Sequence, residues 1–151
     1  MITIRRSIID DFDSYDTSTV TKSQLYMATM HHRSDVKNGL TFFKYMLERI
    51  MLEHDMDKIS DFDSFHNGFI TRFEDRKWID KHTANNKHHA LSHECTPEDI
   101  NLIDLLEIIV DCTVAGMSRR GDVYPIIISE KMLVKAFNNT FNLLKDQIEL
   151  K

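Results

Sequence analysis

The sequence predicts an all-α protein, a single-domain helical bundle, and three observations carry that expectation. Only four glycines and two prolines interrupt 151 residues, too few for the many turns of a sandwich or barrel. Apolar residues recur at steps of three and four over most of the chain, which is the helical period and not the strand period. The run Thr96-Pro97-Glu98-Asp99 combines a capping hydroxyl, a proline suited to a first helical turn and two acids that favour the positive end of a helix dipole.

In chain order, residues 1–20 mix Ile-rich and Asp-rich patches and form an N-terminal extension to a core over about 21–151, the whole of 1–151 reading as one domain. From about Thr21 to Glu53 the set Leu25, Met27, Met30, Val36, Leu40, Phe43, Met46, Leu47 and Ile50 predicts one long helix, with Gly39 as a point where it bends or divides. A second helix is expected from about Asp61 to Phe73, with Phe62, Phe65, Phe69 and Ile70 on one side. Trp78 and Ile79 lead into a polar stretch, Lys81 to Glu94, expected as loop or short irregular helix. A central helix should start at Thr96-Pro97, bury Ile100, Ile103, Leu106, Ile109, Val110, Val114 and Met117, and stop at Gly121 after two arginines. Asp122 to Ser129 reads as loop or short strand. Ser129-Glu130 opens a last helix with Met132, Leu133, Ala136, Phe137, Phe141, Leu144 and Ile148 inside.

Composition narrows the function. A formal charge of −5 argues against general binding of nucleic-acid phosphates while leaving room for a local basic pocket. Cys95 and Cys112 are too few for a disulfide framework and are expected as free thiols in a reducing compartment. The opening segment lacks the apolar stretch of a signal peptide, and no apolar run approaches the ~18 residues of a membrane span. A soluble cytoplasmic protein with no membrane partner is the expectation. The Met- and Phe-rich faces are more naturally core than interface; an oligomer is compatible with the sequence but not indicated by it.

Six of the eight histidines, His54, His66, His82, His88, His89 and His93, crowd into one 40-residue stretch, and chemistry is sought there. On the central helix Asp104, Glu107 and Asp111 share one face. A carboxylate removed from water needs a donor, a cation or a metal; Asp104 is equally suited to pairing with Lys or Arg, whereas Asp111 sits in the apolar run Ile-Ile-Val-Asp-Cys-Thr-Val-Ala. His54-Asp55 places an imidazole directly before a carboxylate, twenty-two residues after His32. Neighbouring side chains on a helix diverge by about a quarter turn, so both reach one ion only where the helix is ending. Imidazole with carboxylate suits first-row divalent ions such as Mn, Fe, Co, Ni or Zn. His32, His54, Asp55 and Asp111 are therefore the candidate ligands of a mixed nitrogen and oxygen site.

The order His32, His54-Asp55, Asp111 resembles the H…HD…D signature of the HD-domain metal-dependent phosphohydrolases, and His54-Asp55-Met56-Asp57-Lys58 resembles their HD-x-x-K stretch. The resemblance runs from about Met30 to Arg119 and implies an HD-domain-like α bundle. His82 with His88 and His89 resembles the H…HH insertion of two-metal HD proteins, found in cyclic dinucleotide phosphodiesterases and in mixed-valent di-iron oxygenases. Trp78 to His89 is similar to short HD-like proteins of bacteriophages, which implies a host-cytoplasm location. The chain departs from the two-metal families in lacking a GYP element and in the tight spacing from His82 to His88.

The resemblance implies one or two divalent transition metals, the first held by His32, His54, Asp55 and Asp111, the second by His82 with His88 or His89, and Asp55 bridging. It implies hydrolysis of a small phosphate ester, a nucleotide or deoxynucleotide, by metal-activated water. Lys58, Lys87 and Arg119 are candidates to meet the anionic substrate, each being otherwise an ordinary solvated helix-end charge. Glu107 is a candidate acid that orients a histidine or relays a proton. The alternatives are an iron-loaded oxygenase on the same ligands and a non-catalytic, metal-stabilised binding protein of viral origin.

Overall fold

A computed structural model describes residues 1–4, 7, 17–92 and 96–150; the expectations for His93 and Cys95 lie outside these residues. Among them are six α-helices: α1 (Lys22–Glu53), α2 (Met56–Ser60), α3 (Phe62–Ile70), α4 (Lys77–Asn85), α5 (Leu102–Arg120) and α6 (Glu130–Lys145). Short 3-10 turns occupy Thr17–Thr19 and Lys87–Ser92, and two three-residue strands, β1 (Ile2–Ile4) and β2 (Ile148–Leu150), pair in parallel with Ile2 opposite Ile148. The all-α expectation holds. No helix among the described residues is long and apolar enough to cross a membrane.

The chain divides into two compact units, one of residues 1–45 with 142–151 and one of residues 46–141. The sequence offers no linker to mark this, because both boundaries fall inside helices, after Tyr45 in α1 and after Phe141 in α6. The first unit contains the strand pair and a groove of about 350 Å³, mainly apolar, which includes Ile2, Val36, Leu40, Phe43 and Leu144. α1 starts with a reciprocal cap: Gln24 N–H donates to Thr21 Oγ1 (3.2 Å) and Thr21 N–H to Gln24 Oε1 (2.9 Å). Gly39 does not divide it, since α1 runs unbroken through that position.

The second unit is built around α5. Ala90, Ile100, Leu105, Ile108, Met132 and Ala136 form its core, with Leu91, Leu102, Cys112, Ile126 and Ile128 packed against them. α5 begins later than Thr96-Pro97. Asn101 is the N-cap, its side chain accepting from Ile103 and Asp104 N–H while Asp104 accepts from Asn101 N–H (2.8 Å). This reciprocal capping box satisfies the free amides more completely than a lone Thr hydroxyl would. The preceding residues are tied to α6, where Asn139 donates to the carbonyls of Glu98 (2.8 Å) and Ile100 (2.7 Å). α5 ends at Gly121, left-handed at φ 71°, as the glycine predicts.

The buried side of α5 differs from expectation. Ile103, Leu105 and Ile108 are inside, whereas Leu106, Ile109, Val110, Val114 and Met117 are exposed, as are Leu133, Phe137 and Phe141 on α6. The side of α5 that packs is the one carrying Asp104, Glu107 and Asp111 beside Ile108, so the apolar stripe expected inside faces out. Residues 122–129 are loop rather than strand, and of the stretch expected as loop or short irregular helix, Lys81 to Asn85 belong to the regular helix α4 while Lys87–Ser92 form the 3-10 turn.

Candidate metal centre

The HD dipeptide sits where the long helix stops. α1 ends at Glu53, and Asp55 adopts a left-handed backbone, φ 56°, a conformation that Asp tolerates better than most residues. The reversal lets two adjacent side chains face one place. Asp55 occupies the N-cap of α2 yet makes no capping bond. Its carboxylate instead meets three histidines and a lysine: Oδ1 lies 3.4 Å from His88 Nε2 and 3.5 Å from His82 Nε2, while Oδ2 lies 3.6 Å from His54 Nε2 and 2.5 Å from Lys58 Nζ.

The histidines come from separate elements. α4 carries His82, and the following 3-10 turn carries His88 and His89. Trp78, one turn earlier on α4, stacks on the His82 ring at 5.1 Å and 13°, which makes a polar ring tolerable at 1% exposure. His82 Nε2 and His89 Nε2 face each other at 2.8 Å. From α5, Asp111 Oδ1 comes within 3.9 Å of His54 Nε2. Two donors each about 2.0–2.2 Å from one ion stand roughly 3.0–3.6 Å apart at ordinary ligand angles, close to most of these separations.

The far side of each ring supports the same reading. His82 Nδ1 lies 2.7 Å from Asp57 Oδ2, which also accepts from the Asn86 side-chain amide (3.1 Å). His54 Nδ1 lies 2.8 Å from Glu107 Oε1. A carboxylate accepts only, so the Nδ1 of each of these rings carries the proton and Nε2 presents its lone pair to the cluster. His88 Nδ1 is 3.1 Å from that same Glu107 oxygen, out of line for a hydrogen bond. His88 Nδ1 and Asp55 Oδ1 are buried without hydrogen-bond partners. Lone pairs and an orphaned carboxylate oxygen turned toward one another suit a cation placed between them.

Electrostatics agree with geometry. Burial works against the Asp55 charge but is outweighed by the neighbouring His88 imidazole and the Lys58 ammonium, which hold the carboxyl well below the usual range. Asp57 and Glu107 behave likewise: burial opposes their charge, and their histidine partners lower both. His88 is pushed up to about 9, its burial overcome by Asp55 and Glu107. His89 is brought down to about 4 by burial and by the neighbouring charges of His88, His82 and Lys58, so its ring is a neutral ligand at neutral pH.

No family model, curated protein or solved structure matches the chain. The site therefore stands on its own geometry. Asp55, His82, His88 and His89 offer ligand atoms within 4.8 Å of one another, as do His54, His88 and Glu107, and either set could hold a metal ion.

Three expected participants are placed elsewhere. His32 lies within α1 in the first unit. Neither group of ligand atoms close enough to hold an ion among the described residues includes it. Lys87 is held by Asp99 (2.7 Å) and Asp104 (3.5 Å) at the start of α5, so its charge faces those acids rather than the cluster. Arg119 is exposed at the end of α5, about 12 Å along the axis beyond Asp111. Of the expected cations, Lys58 alone contacts a cluster residue among the described contacts. Sequence reasoning missed the roles of Asp57 and Asn86; the one available signal was that Asp57 stands two residues beyond Asp55 inside the quoted HD-x-x-K stretch.

Proposed function

We propose that this chain is a metal-dependent phosphohydrolase of HD type, acting on a small phosphate ester such as a nucleotide or deoxynucleotide. The observation that carries the reading is the convergence of imidazole Nε2 atoms on Asp55 with acceptor carboxylates behind the rings. Within the proposal, Asp55 Oδ1 belongs with His82, His88 and His89, and Asp55 Oδ2 with His54 and Asp111. When bound, divalent ions would supply Lewis-acid polarisation of a phosphoryl group and a water acidified toward neutrality.

Charge favours two ions over one. Once ligation has made the histidines neutral, Asp55, Asp57, Glu107 and Asp111 against Lys58 leave three negative charges. One divalent ion leaves the site negative and repels an anion; a second reverses the sign. Lys58 adds the ammonium that meets a phosphoryl oxygen as a point charge. His82 and His88 are buried while His54 and Asp111 are half-exposed, so a substrate reaches the cluster from the His54 and Asp111 side. Asp57 and Glu107 hold rings and do not touch the substrate.

Elemental mass spectrometry on gently purified protein, followed by phosphate release from a nucleotide panel, tests the proposal. The expected result is near two transition-metal ions per chain, release by the wild type, and loss of both ions and release in Asp55→Ala. A folded wild type without metal, or a loaded one that releases phosphate from none of the panel, overturns it. Predominant iron with oxygen consumption would favour the oxygenase.

A further inference from the structure

One carboxylate faces two histidines that belong to different halves of the cluster. Glu107 Oε1 lies 2.8 Å from His54 Nδ1 and 3.1 Å from His88 Nδ1, and the two rings are themselves 4.5 Å apart. On their other sides, His54 Nε2 faces Asp55 Oδ2 and Asp111, while His88 Nε2 faces Asp55 Oδ1. His82 takes its acceptor independently, from Asp57.

We infer that Glu107 is a positioning residue common to both halves, so that seating an ion on one side prepares the ligand for the other. This deepens the proposed function and rests on its two-ion reading. Glu107 is only 13% exposed at its side chain, and it projects from α5, whose first turn is fixed by the Asn101 capping box. A mostly covered acceptor oxygen on a capped helix cannot follow each ring separately. Aligning His88 Nδ1 with the carboxylate, as ligation through Nε2 requires of a neutral ring, moves the oxygen that also orients His54. His88 Nδ1 has no hydrogen-bond partner of its own, and Glu107 is the acceptor facing it.

The expectation separates Glu107 from an ordinary ligand. Loss of an acceptor behind a metal-bound histidine typically costs 10–100-fold in metal affinity. Glu107→Ala should impose a loss of that size on both ions and abolish cooperativity between them, whereas Asp57→Ala should weaken one ion alone. Cobalt(II) is the probe, read by titration calorimetry and by proton NMR of the paramagnetically shifted, exchangeable imidazole N–H signals.

Wild type should show one such signal from each ligating ring, His54, His82, His88 and His89; Glu107→Ala should lose those of His54 and His88 together and keep the His82 signal. Loss of a single signal, or of one ion with the other unchanged, overturns the inference while leaving the metal centre intact. Failure of wild-type protein to bind cobalt overturns the metal reading itself, and this inference with it. Should Glu107→Ala fail to fold, Glu107→Gln, which keeps an acceptor oxygen without charge, must still weaken both ions in parallel; weakening of one alone overturns the inference.

Discussion

His88 shows how far a single ring can link folding to ion capture. In the ion-free protein its imidazole holds a proton up to about 9 against an ordinary 6.5, with burial overcome by Asp55 and Glu107. A folded-state value above the unfolded one stabilises fully below the unfolded value, and that contribution fades as pH rises through the folded value. The ion-free protein should therefore lose stability between pH 6.5 and about 9 as this pairing disappears. Ligation needs the neutral ring, so binding expels the proton and affinity should climb over the same interval. Calorimetry in buffers of differing ionisation enthalpy checks this at pH 7, where about one proton should be released from His88 per chain; zero release contradicts the assignment. The sequence exposed much of this chemistry, because His54-Asp55 is adjacent and three imidazoles lie within eight residues. Asp57 and Asn86 were hidden because neither an acceptor behind a ring nor the amide that donates to that acceptor obeys a spacing. Lys87 misled because the acids that hold it, Asp99 and Asp104, lie twelve and seventeen residues away.

Among the helices, two glycines make opposite demands. At Gly116 on α5 an added Cβ would stand 2.6 Å from Asp122 O and Tyr124 N, because the chain after the helix folds back there and Tyr124 N–H bonds to Cys112 O (3.2 Å). At Gly39 the Cβ would meet only Leu144 methyls at 3.7–3.8 Å, an ordinary contact. Gly116→Ala should destabilise by about 1–3 kcal/mol, as overpacking does, while Gly39→Ala should stabilise by roughly 0.5–1 kcal/mol through helix propensity. Urea denaturation of both variants decides this, and equal effects would contradict the backbone contact. The helices were largely legible: α1 was expected from about Thr21 and runs from Lys22, and α6 begins at the expected Glu130. The start of α5 was not, because Thr96-Pro97 carries a stronger local signal than Asn101, whose capping role depends on Asp104 reaching back to it. Which side of α5 is buried was illegible for a different reason: the side carrying Asp104, Glu107 and Asp111 turns inward, where Glu107 meets His54, and the apolar side opposite, with Leu106, Ile109 and Val110, is the exposed one.

On the scale of the whole chain, every residue of the candidate centre falls within 46–141. Binding that stabilises only the folded state adds protection in proportion to ligand excess. Hydrogen exchange should accordingly slow in α4, the 3-10 turn over Lys87–Ser92 and α5 when a divalent ion is added, while residues 22–40 of α1 exchange as before. Uniform slowing across α1 would show that His32 or its neighbours take part after all. This division into units was unreadable in the sequence because it falls between Tyr45 and Met46, in mid-helix, where composition does not change.

The left-handed backbone at Asp55 gives that position two separate vocabularies. Handedness admits a short list, glycine, asparagine and aspartate; the charge demanded by the surrounding imidazoles and Lys58 admits another, aspartate and glutamate. One word is common to both. Exchanging aspartate for glutamate, conservative by charge, is therefore a backbone substitution there, and exchanging it for asparagine, conservative by shape, is a purely chemical one.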